Sequence, residues 1–198
     1  AALYGKKYEN LQLIHDLGHT VQKYGGKAFR NAITDENYEV LDFFINNGVD
    51  INYNKPDSVY PFNPTPLCVA ARYVDLQMCK YLVEHGADVT ITEKDGMRPY
   101  SIAIEKGDME MAEYFKNLEP AEYHDKQNKM DQLKPFKLPK VLISFLEGDN
   151  LYFELPDSDF ISIEFLPLLD TVPFKWGRRK LLRLSKELGE YNDYQIVW

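Results

Sequence analysis

Thr65-Pro66-Leu67-Cys68-Val69-Ala70-Ala71 returns 33 positions later as Arg98-Pro99-Tyr100-Ser101-Ile102-Ala103-Ile104, and the reading of the fold starts from this offset. The segments that follow stay in register, Asp75-Leu76-Gln77-Met78-Cys79-Lys80-Tyr81-Leu82 against Asp108-Met109-Glu110-Met111-Ala112-Glu113-Tyr114-Phe115. A third copy lies upstream at an offset of 38. It runs from Phe29 through Ala32, Asn37, Val40, Leu41, Phe44 and Ile45 to Gly48-Val49-Asp50-Ile51-Asn52, an ending repeated as Gly86-Ala87-Asp88-Val89-Thr90. Self-similarity at such a period marks an array of units that bury their apolar faces only against neighbours.

Within each copy the residue types favour two short helices. Thr65 can cap a helix that Pro66 starts, the small Ala70 and Ala71 let helices approach, and Gly48 and Gly86 suit the left-handed conformation that ends one. These motifs resemble the ankyrin repeat, with its Thr-Pro-Leu-His start, paired alanines and closing Gly-Ala-Asp-Val-Asn. The resemblance implies a mainly α fold: a helical stack over residues 27–120, with an N-terminal capping helix and a small α+β C-terminal extension.

The copies depart from the family pattern at readable places. The expected His is Arg30, Cys68 and Ser101 in turn, and the Gly between the two helices survives only as Gly107, with Glu36 and Val74 elsewhere. The surplus residues of the longer spacing fall in the loop 53–64, which predicts an extended finger. Ahead of the repeats, Tyr8, Leu11, Ile14, Leu17 and Val21 recur at helical spacing, predicting a capping helix over 1–26 that ends near Gly25-Gly26. Residues 121–137 are polar, Lys-rich and aperiodic and read as a linker. Residues 138–198 read as a strand-rich extension: a short helix near Leu138–Leu146, then strands near 151–155, 160–166, 180–184 and 194–198. A tail this small is expected to lean on the last repeat.

Composition narrows the function. The 31 Asp and Glu exceed the 23 Lys and Arg, giving a formal charge of −8 that disfavours general nucleic-acid binding and favours a basic partner. Cys68 and Cys79 are the two cysteines, fewer than a disulfide scaffold needs, and predict buried thiols in a reducing cytoplasm. No apolar run is long enough to span a bilayer, so no membrane partner is expected. The single basic cluster, Lys175, Arg178, Arg179, Lys180, Arg183 and Lys186 around Trp176, follows a stretch rich in carboxylates from Glu147 to Asp170, and mutual neutralisation is the simplest expectation.

Enzyme signatures are scarce. Gly25-Gly26-Lys27 lacks the spacing of a phosphate-binding loop and reads as a turn between helices. His15, Asp16 and His19 offer two imidazoles on one helix face, but nothing marks a third protein ligand, so a metal-dependent enzyme is the weakest reading and no cofactor is expected.

The resemblance implies protein recognition through the fingers and the exposed starts of the helix pairs. Carried over by position, it puts partner contacts at Thr34 and Asp35, at Phe62, Arg72 and Tyr73, and at Asp95, Met97 and Glu105; Tyr60 joins them as an aromatic anchor. A competing expectation has Tyr60 and Phe62 folding back over the stack. The expected protein is a non-catalytic cytoplasmic monomer binding one basic protein. A short array with a divergent tail is similar to bacterial ankyrin-type immunity proteins, which makes that partner a cognate toxin. The alternative is a scaffold or regulatory subunit of an endogenous enzyme.

Overall fold

A computed structural model of the chain describes residues 20–157, 159–188 and 196–198. Eight α-helices and five strands lie among these residues, the helices paired as the repeats require. The chain divides into two compact units, Ala1–Glu93 and Lys94–Trp198.

In the first unit, α1 (Val21–Thr34) and α2 (Tyr38–Asn46) form one repeat, and α3 (Pro66–Tyr73) and α4 (Leu76–Glu84) the next. Three caps come from the expected residue types: Asn37 accepts from Val40 N, Thr65 from Cys68 N and Asp75 from Met78 N. Phe29, Ala32, Ile33, Leu41, Leu67, Val69, Ala70, Ala71, Met78 and Leu82 are fully or nearly fully buried and make the core. The two closing motifs are tied directly: the Asn52 side chain accepts from Asp88 N at 2.9 Å and donates to Gly86 O at 3.5 Å. On the outer helices Tyr81 donates to Asp42 at 2.6 Å and meets Tyr38 edge-on at 5.0 Å.

One boundary differs from expectation. Helix α1 runs straight through Gly25-Gly26, so the expected stop and the turn reading there are corrected; most of the expected capping helix lies outside the described residues. The glycines serve close approach instead. A Cβ on Gly26 would stand 2.2 Å from Tyr53 Cγ, so the loop tyrosine lies on the helix where a side chain would be. The missing turn glycines resolve in two ways. Glu36 takes the left-handed conformation at φ 52°, at a cost of about 1 kcal/mol for a residue with a Cβ, while Val74 avoids it at φ −121°.

The second unit holds α5 (Pro99–Lys106) and α6 (Met109–Leu118) of the third repeat together with the C-terminal extension. The expected linker over 121–137 is instead ordered helix, a 3-10 turn at Ala121–His124, α7 (Lys126–Leu133) capped by Asp125, and a second 3-10 turn at Lys134–Phe136. Low apolar content hid it, because only Leu133 and the stem of Lys129 are buried on α7. Helix α8 (Lys140–Leu146) follows, with Pro139 at its cap. Strands β1 (Tyr152–Glu154), β2 (Ser162–Phe165) and β5 (Ser185–Glu187) form one antiparallel sheet in the order β1-β2-β5, and β3 (Val172–Trp176) and β4 (Arg179–Arg183) form a hairpin. Strands β1, β2 and β4 fall in expected stretches; β3 and β5 were not anticipated, and of the last expected strand, 194–198, the first two residues lie outside the described residues and Val197 bridges Arg183.

The extension has its own core, Leu133, Leu146, Leu168, Leu182 and Leu184, with Phe136, Phe145 and Phe165 packed around it. Its ties to the third repeat include polar ones, beside the close approach of Val172 and Phe174 to Gly96. Tyr100 donates to Asp170 at 2.9 Å, and Arg183 meets Met97 Sδ at 3.4 Å and the carboxylate of Glu105. Buried Lys129 donates to Thr171 O, and that burial lowers its pKa to about 8, with Arg98 adding repulsion and Asp170 opposing both.

Gly26→Ala tests the close approach. Helix propensity favours Ala by about 1 kcal/mol, but the ring carbon in the way sits next to the Tyr53 backbone and cannot swing clear, so overpacking of about 1–3 kcal/mol wins. Urea unfolding should show net destabilisation in the native chain and little or none in a Tyr53→Ala background.

Candidate functional site

The finger between the first two repeats is organised by a residue beneath it. Arg30, fully buried on α1, donates from Nη1 to Pro64 O at 2.9 Å and from Nη2 to Lys55 O at 3.0 Å and Asp57 Oδ2 at 2.6 Å. Its guanidinium also lies over the rings of Tyr53 at 4.7 Å and Tyr60 at 5.1 Å. A planar cation with several donors can satisfy carbonyls, carboxylate and ring faces together, which a lysine could not do. Asp57 completes the turn by accepting from Val59 N at 2.7 Å and Tyr60 N at 2.9 Å. Partial burial pushes the Asp57 carboxyl up, but those two N–H groups and the charges of Arg30 and Lys27 outweigh it, and the net direction is down.

With the finger held, the candidates of the first unit come together. Tyr60 packs edge-on to Phe62 at 6.2 Å and tilted against Tyr73 at 6.5 Å. Arg72 lies 5.8 Å over Phe62 and pairs with buried Glu93 at 2.8 Å. Thr34 and Tyr73 are exposed, Tyr73 at 56%, while Asp35, Phe62 and Arg72 are half-buried. Tyr60 is 6% exposed, so as an anchor it is corrected: it folds back and supports the others.

The candidates of the second unit belong to a different arrangement. Asp95 accepts from Met97 N at 3.2 Å, but Met97 is 2% exposed and leaves the surface set, because it packs against Arg183. Glu105 is half-buried on the same guanidinium. Nearby, Arg98 grips buried Glu119 with two bonds, at 2.6 and 3.0 Å. His124 Nε2 lies 2.8 Å from Glu119 Oε2, the oxygen that accepts from Arg98 Nη2, but makes no hydrogen bond to it, and its ring packs on Tyr100 at 4.7 Å. A cleft of about 700 Å³ opens beside these groups, lined by Tyr100, His124, Lys126, Glu147, Asp149 and Asp170 among others.

Cys68 and Cys79 are buried, and desolvation, helped by the Glu93 charge, pushes the Cys68 thiol up to about 12, far from a nucleophile's range. Among the described residues no group of three or more His, Cys, Asp and Glu is placed to hold a metal. His15, Asp16 and His19 lie outside them. No described helix is long and apolar enough to cross a membrane.

Sequence reasoning missed the organising role of Arg30. Its signal was present, since Arg30 occupies the position of the family's His and a longer loop rich in Tyr and Pro follows it.

The profile of ankyrin repeats in three copies matches residues 2–127, and the chain belongs to the ankyrin-repeat family. It is 29% identical over 126 residues to the ankyrin repeat protein FPV022 of fowlpox virus, covering 64% of this chain and 20% of that one. Palmitoyltransferase AKR1 of Lachancea kluyveri is 26% identical over 149 residues, 75% of this chain and 19% of its own. The mouse RelA-associated inhibitor is 42% identical over 85 residues, 42% of this chain and 9% of its own. The chain thus spans about a fifth or less of the length of these relatives. Repeats of this family bind other proteins.

Acid should loosen the finger. The folded pKa of Asp57 lies below the ordinary carboxylate value of about 3.9, so its contribution is complete above that pH and is lost as pH falls through the folded value. The urea midpoint should therefore fall on acidification, and Asp57→Asn should make that part of the fall shallower; an unchanged acid limb in the variant would refute the assignment.

Proposed function

We infer that the chain is a non-catalytic recognition protein that holds one protein partner on the surface made by Thr34, Asp35, Phe62, Arg72 and Tyr73. One observation carries this reading: a largely exposed tyrosine stands on a tyrosine–phenylalanine–arginine cluster whose loop is already fixed by a buried guanidinium. Aromatic and arginine side chains supply most hot-spot energy, and a preformed site avoids the entropy cost of ordering on contact. Asp95 and Glu105 are proposed as further contacts.

The formal charge of −8 favours a basic partner and speeds encounter with one. In its narrower form the reading is an immunity role in the cytoplasm of a bacterium, with a basic toxin neutralised by a monomer of this protein. A second reading, a regulatory subunit that restrains an endogenous protein, draws on the similarity to the mouse RelA-associated inhibitor.

Isothermal titration of the full chain against basic proteins encoded beside its gene tests both the surface and the partner class. Tyr73→Ala should leave stability within about 0.5 kcal/mol of the parent, as exposed substitutions do. It should also weaken binding by about tenfold or more, the effect of losing a hot spot worth at least 1.4 kcal/mol. Undiminished binding by Tyr73→Ala would discard the surface. Binding only to housekeeping proteins would favour the regulatory reading.

A further inference from the structure

The basic run of the tail does not behave as one group. Arg183 is buried against Glu105 and Met97, and Lys186 pairs with Glu164 at 2.9 Å, so both are neutralised, Lys186 from the expected carboxylate stretch and Arg183 by a glutamate outside it. Neutralisation does not extend to the end of the β3–β4 hairpin. Lys175, Trp176, Gly177, Arg178, Arg179 and Lys180 are all exposed, Trp176 at 73%, and none of the four cations has a carboxylate partner among the described residues. Trp176 stands across from Arg179 and Lys175 across from Lys180, so like charges face each other on a two-stranded ribbon. No Asp or Glu occurs between Asp170 and Glu187.

Both features cost free energy. A largely exposed indole at a turn leaves apolar surface in water, and directly opposed lysines repel. Together they describe a site for an anionic surface that also accepts an aromatic ring. Three kinds of anionic partner meet that description, and the hairpin distinguishes among them. An acidic peptide adding as a strand needs outward N–H groups on the edge, and Pro173 in β3 has none to offer. Single-stranded nucleic acid is held on successive stacking rings, whereas the turn exposes one ring and carries no Ser, Thr, Asn or Gln to meet base edges. A lipid bilayer with anionic headgroups asks for less: cations at phosphate depth and an amphipathic ring at the interface, where Trp is enriched.

We propose that the β3–β4 hairpin is a peripheral docking element for an anionic phospholipid surface, with Trp176 dipping into the headgroup layer and Lys175, Arg178, Arg179 and Lys180 pairing with phosphates and carboxylates around it. Carboxylates elsewhere on the chain weaken the approach without cancelling it, because charges separated by more than about 8 Å are largely screened at physiological ionic strength. The contact needs no spanning helix, and it revises the expectation of no membrane partner to that extent. It is independent of the protein-binding surface near Tyr73.

Co-sedimentation of the full chain with vesicles tests it, using phosphatidylcholine alone against a phosphatidylcholine–phosphatidylserine mixture. The chain should partition to the serine-containing vesicles only, and less as salt is raised. Each cation near an anionic bilayer contributes about fivefold, so Arg178→Ala with Lys180→Ala should weaken partition by about 25-fold. Trp176→Ala should weaken it as well. Circular dichroism checks that both variants stay folded, which the exposure of these side chains leads us to expect. Absence of binding to the serine vesicles, or binding the variants do not reduce, overturns the proposal. So does tighter retention by a single-stranded oligonucleotide than by the vesicles, which would assign the hairpin to nucleic acid instead.

Discussion

A buried guanidinium sets the geometry on which the first unit's surface depends. Arg30 sits where the repeat family places a His, and the substitution changes what the position can do. Arg30 reaches two loop carbonyls, a carboxylate and two aromatic rings. Burying a charge in this way is tolerable only when it is well answered, and the loop 53–64 answers both terminal nitrogens, leaving Nε without a hydrogen-bond partner. The long loop and the unusual arginine are therefore one adaptation. Tyr60 closes over the cation, Tyr73 leans on Tyr60, and the exposed aromatic surface is a downstream result of the buried charge.

The repeats were legible in the sequence because their signals are local and redundant: Thr65-Pro66, the alanine pair, and the Gly-x-Asp endings each specify a backbone state on their own. The two glycines of α1 misled for the same reason. Gly-Gly reads as a break by propensity, and only the arrival of Tyr53 from a distant loop shows that the pair provides space within a helix. Helix α7 was hidden in the opposite way. Its apolar content is too low to show a period, and it is held by the Asp125 cap, Leu133 and the Lys129 bond to a carbonyl 42 residues away.

Among the candidate contacts, position in the repeat pattern located Thr34, Phe62, Arg72 and Tyr73 in one cluster but could not foresee burial. Met97 sits at a finger position that the family leaves exposed. In this chain Arg183 from the extension covers it, and no pattern internal to the repeat encodes what a later segment will do. The same extension uses Arg183 and Lys186 internally and leaves the hairpin end unpaired, so one basic run has two physical fates decided by strand register.

The sealed thiols have a practical side. Cys68 and Cys79 are both withdrawn from solvent, and burial pushes the Cys68 thiol up to about 12. A single cysteine introduced at an exposed site would then be the fast-reacting sulfur in the molecule. Maleimide dyes or spin labels could be attached there without first stripping the native residues, which opens distance measurements on the unaltered core.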